Sequence, residues 1–117
     1  MTIGTILLIG VHALIAWILI EVFVNMAHNL SRAHYLLWHY FVVIIAFAGL
    51  FSVYFTLFDV DATAFEITSI GMLFVLSLEW IVFRFLYSGE RWFLNWADWI
   101  LPMSLAMTTI YVTASLW

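Results

Sequence analysis

Five ionisable side chains, His12, Glu21, His39, Glu79 and Arg84, lie in or beside long apolar stretches, and Asp98 stands where another begins. In hydrocarbon each such group costs about 2.5–3.5 kcal/mol at mid-helix on insertion scales, so it usually faces protein and carries a role. Counted at ~1.5 Å per residue from the stretch ends, Glu21, His39, Arg84 and Asp98 fall within about one turn of the same boundary, the inner one, and Glu79 about two turns in. These five residues form a candidate inner polar cluster around Arg84. One guanidinium can fork to two carboxylates but cannot neutralise three. Such a cluster suits proton or cation handling. The plainer reading has Glu21, His39 and Asp98 extend to the inner surface while Arg84 pairs with Glu79. Residues 79 and 84 are roughly 140° apart around a helix, so that pairing fits better across helices than within one.

Four histidines invite a test for haem. Two axial histidines must face each other at one depth, whereas His12 and His39 are expected to differ by about nine residues, or roughly 14 Å. They are not expected to share a haem. His28, His34 and His39 match no strong metal spacing, and Asp59, Asp61 and Glu66 lack the glycine turn of a calcium loop. With no cysteine there is no thiolate metal site or thiol nucleophile. No nucleophile with an adjacent base and no glycine-rich phosphate loop is present either, so neither catalysis by the chain nor a cofactor or metal is expected.

These side chains must be positioned by spanning helices. Of 117 residues, 68% are hydrophobic and 9% charged, against roughly 25% charged in soluble domains. The expected fold is an all-α integral membrane four-helix bundle, one transmembrane domain over 1–117, with spans of about 3–25, 35–58, 65–87 and 98–117. Short loops make consecutive helices antiparallel. The stretch from Met1 to Val24 lacks the pattern of a cleaved leader and is expected to be retained. A net charge of −4 without any lysine argues against nucleic-acid binding. Arg32, Arg84 and Arg91 flank the first and third loops, while the second has only acids. By the positive-inside tendency both termini are expected on the non-cytoplasmic side, in a bacterial inner membrane or its equivalent.

Trp92, Trp96 and Trp99 recur at i, i+4 and i+7 and predict an interfacial belt on a short helix over 90–97, before the fourth span. Pro102 fits the start of that span. One longer kinked helix from Glu90 is the alternative. Ala48 with Ser52, Ser104 with Thr108, and Thr109 with Thr113 are small pairs four apart that help helices associate. The run Leu57-Phe58-Asp59-Val60-Asp61, followed by Glu79, is similar to a stretch in the small three-helix subunits of respiratory NADH-quinone oxidoreductases. That likeness covers few residues, and this chain has a further helix and no loop cysteine. The expected function is a non-catalytic accessory subunit of a larger membrane complex, with lipid and other subunits or further copies as partners. The alternative is an oligomeric protein that conducts protons or cations through the inner cluster.

Overall fold

The computed structural model describes residues 2–27, 29–60, 62–85 and 96–117, with the backbone alone described for 83–85 and 98. These residues form four α-helices and, among them, no strand: α1 (Ile3–Met26), α2 (Arg32–Leu57), α3 (Ala64–Phe85) and α4 (Leu101–Leu116). A π-helical turn, Trp96–Ile100, leads into α4. Helices α1, α2 and the Ala64–Val82 part of α3 are long and apolar enough to span a membrane, for which ~20 residues are needed. At 16 residues α4 is shorter, and the π-turn extends its helical run back to Trp96. The longest dimension, 41 Å, equals that of a bilayer with its headgroups, about 40–45 Å. The fold is an all-α transmembrane four-helix bundle. The short helix expected over 90–97 lies almost wholly outside the described residues.

Local chemistry sets the helix starts. The Thr2 hydroxyl caps α1, accepting from the Thr5 N–H at 3.2 Å. At α3 the Glu66 N–H donates to Thr63 Oγ1 (3.1 Å) and the Thr63 N–H donates to the Glu66 carboxylate (3.0 Å), a reciprocal capping box. Glu66 therefore secures a helix start, Asp59 is exposed, and Asp61 lies outside the described residues. Arg32, expected in a loop, is the first residue of α2.

Helices α1 and α4 each pack against both α2 and α3, so the order around the bundle is α1, α2, α4, α3. Consecutive α2 and α3 face each other across a diagonal and are joined by residues 58–63. Those six residues suffice, since extended chain covers up to about 3.6 Å per residue and neighbouring axes lie about 8–10 Å apart. Each helix buries one stripe with spacings of three and four, such as Ile9, Ala13, Ala16 and Ile20 in α1 and Pro102, Ala106 and Ile110 in α4. Gly10 lets α1 approach α3 closely, because a Cβ there would come within 2.6 Å of the Phe74 ring.

All four helices meet at one level. A Cβ placed on Gly71 of α3 would touch Ile110 of α4, Phe51 of α2 and Ile9 of α1, all within 4 Å. None of those three side chains is exposed at all. They form a dry plug toward the 58–63 end of the bundle.

Candidate functional site

One helical turn from the plug, toward the end that carries residues 27–31, the packing opens. Phe47, Val75 and Ala106 stand one turn from Phe51, Gly71 and Ile110 and wall a cavity of about 270 Å³. Its other end is lined by Glu21, Val24, Asn25 and Tyr35, of which Asn25 is exposed and Glu21 half-buried. Among the described residues the cavity is thus sealed at mid-bundle and opens at the 27–31 end.

Three members of the expected polar cluster, Glu21, His39 and Glu79, line this one cavity. Each comes from a different helix. Glu79 is only 6% exposed, and the Trp17 indole N–H of α1 donates to its Oε1 at 2.9 Å. Trp99 and Glu21 line the same cavity as this carboxyl. His39 is 6% exposed and packs its ring against Tyr35 and Tyr40, with centroids 5.5 and 6.3 Å away. The side chains of Arg84 and Asp98 lie outside the described residues. Among the described residues no three of His, Asp and Glu converge on a point that could hold a metal ion.

Trp99, expected in an interfacial belt, is half-buried and lines the cavity. Trp96 is 65% exposed, and Trp92 lies outside the described residues. Trp38 and Trp80, each 52% exposed, supply further indoles at the bundle surface in the half that holds the cavity. Trp99 is held inward by local geometry. In the i→i+5 pattern of the π-turn, the N–H that would reach the Ala97 carbonyl belongs to Pro102, which has none. The Tyr40 hydroxyl of α2 donates to that carbonyl at 2.8 Å, tying the turn to the bundle.

His12 stands elsewhere. Its ring stacks on Tyr54 at 4.7 Å, meets Phe58 edge-on at 6.2 Å, and its Nδ1 bonds the Leu8 carbonyl at 2.7 Å. With Ile9 and Phe51 at one level, His12 lies three residues and His39 twelve residues from it toward the 27–31 end, so the two histidines stand roughly 14 Å apart in depth. Trp17, which supplies the hydrogen bond to Glu79, was missed from the sequence. Its signal was an indole in mid-span, away from the interfaces where tryptophan usually sits. No protein-family model, curated protein or solved structure matches this chain.

Proposed function

We propose that this chain is a cation-handling membrane protein that receives cations through the cavity open at the 27–31 end. The observation that carries the reading is Glu79, a carboxyl 6% exposed in the wall of a cavity whose mouth holds a second carboxyl, Glu21. In surroundings of low dielectric two nearby carboxylates repel, and an entering cation relieves that repulsion far more than it would in water. Glu21 draws the cation to the mouth, Glu79 receives it, and the Trp17 N–H fixes the carboxyl in the wall. Passage to the far side requires the plug of Ile9, Phe51 and Ile110 to part. Arg32 begins α2 and Arg84 stands near the end of α3, both at the 27–31 end, and by the positive-inside tendency the cavity then faces the cytoplasm.

The test is flux in liposomes that hold the purified protein, followed with proton- and sodium-sensitive dyes and with a radiolabelled organic ammonium ion. Wild-type protein should pass a cation, Glu79→Gln should lose at least nine-tenths of that flux, and Asp59→Asn at the sealed end should keep it. Wild-type flux equal to that of empty liposomes would defeat the proposal. Membership in a larger membrane assembly is a second reading, supported by Gly49. That residue is bare on the outer face of α2, with nothing within 4 Å of a Cβ placed there and Ile45 and Val53 exposed beside it. A neighbouring helix can come to backbone contact at such a place. Mass determination of the gently solubilised protein decides it: a chain with only lipid and detergent bound has no such partner.

A further inference from the structure

Resting on the cation-handling reading, we infer that the ligand of this cavity is an organic ammonium ion with an apolar or aromatic arm, not a bare metal ion or a proton alone. The carboxyls stand at two levels, Glu21 at the mouth and Glu79 inside, each on its own helix. Among the described residues the acids and histidines do not converge for a metal. A small inorganic ion needs several oxygens gathered at about 2.0–2.6 Å in place of its water. This lining offers it no such cage.

What the lining does offer is aromatic surface. Trp17 of α1, Tyr35 and Phe47 of α2 and Trp99 beside α4 all border the same space as the two carboxyls. Ring faces attract cations, tryptophan most of all, and the attraction grows as water is excluded; clustered aromatics are the usual recognition device for quaternary ammonium groups. A cavity of about 270 Å³ holds a small organic molecule with room for a cationic head and one ring, somewhat below the usual drug-sized pocket of roughly 300–1,000 Å³. Val43, Val75 and Ala106 supply apolar wall for the arm, next to the plug. The charged head then lies between the carboxyls, and the arm points toward the dry core. An ammonium carrying alkyl groups is weakly hydrated and leaves water at lower cost than a compact metal ion.

The probe is benzyltrimethylammonium, set against its uncharged carbon counterpart neopentylbenzene, in equilibrium dialysis with the full chain in phosphatidylglycerol nanodiscs. Saturable binding of the charged probe in excess over protein-free discs, with no saturable binding of the neutral one, is the expected result on the unaltered protein. Glu79→Gln should weaken the charged probe at least tenfold and Trp17→Leu severalfold, while Asp59→Asn leaves it unchanged. Phosphatidylcholine discs separate two sources of the same chemistry. Suppressed binding there identifies a lipid choline headgroup as the occupant, and unaltered binding identifies a free ammonium compound. Equal binding of charged and neutral probes, or no saturable binding of either, overturns the inference. If flux of protons or sodium still depends on Glu79 in that event, the cation-handling reading survives and the ligand class alone is wrong. If that flux is missing too, both fall.

Discussion

Trp17 and Glu79 are 62 positions apart in the chain, and their side chains meet at 2.9 Å inside the bundle. The carboxyl was legible as a functional candidate, because an acid two turns inside a span is costly and needs a reason. Its partner was not. An aromatic residue in a chain one-fifth aromatic carries little information until a fold gives it a neighbour. Trp99 shows the same limit, since its spacing from Trp96 gives a helical side but not which way that side faces. Trp17→Phe keeps an aromatic ring and removes the N–H. Interhelical hydrogen bonds in membrane proteins average about 0.6 kcal/mol and reach about 1.7, so this variant should lose about 0.5–2 kcal/mol in reversible unfolding in detergent. Tyr40→Phe should show a loss in the same range, as its hydroxyl no longer serves the Ala97 carbonyl. Unfolding curves that overlay wild type would mean that neither bond contributes.

At the scale of helices, the number and rough extent of the elements were legible because hydropathy alone marks a span. The inward faces were not, because lipid-facing and core-facing residues are equally apolar. Leu7, Ile18 and Leu19 are about half exposed while Ile9 and Ile20 are buried in the same helix. Residue size carries the information that polarity does not: Gly10, Ala13 and Ala16 mark the buried stripe of α1, as expected where close approach drives association. The small pair Ser104 and Thr108 instead lies on the exposed side of α4, so spacing by itself misleads. Two glycines separate the cases. Gly10→Leu forces a side chain into the Phe74 ring and should cost about 1–3 kcal/mol, the usual range for overpacking. Adding Phe74→Ala should restore part of it. Gly49→Leu meets open space and should change stability by less than about 0.5 kcal/mol as an exposed substitution. Equal effects at the two positions would contradict the packing of α1 on α3.

For the whole molecule, the decisive feature is asymmetry along the membrane normal. One half is filled by Ile9, Phe51, Tyr54 and Ile110, all at most 1% exposed, and the other holds the cavity with its two carboxyls. The depth count from the sequence put Glu21, His39 and Glu79 near one another but could not show a cavity between them. That depends on the order of helices around the bundle, with α2 and α3 on a diagonal, and loop length alone does not fix this order.

The chain contains no cysteine, so single cysteines test the central claim directly. Val43→Cys lines the cavity and Ile67→Cys lies in the filled half; Val43 is 2% and Ile67 3% exposed, so access through the cavity and not burial separates them. In oriented membrane vesicles treated with a charged, impermeant methanethiosulfonate reagent, Val43→Cys should react from the cytoplasmic face only, more slowly when Glu79→Gln is also present. Ile67→Cys should stay unmodified from either face. Reaction of both positions, of neither, or of Val43→Cys from the opposite face alone would contradict a cation-accepting cavity that opens to the cytoplasm.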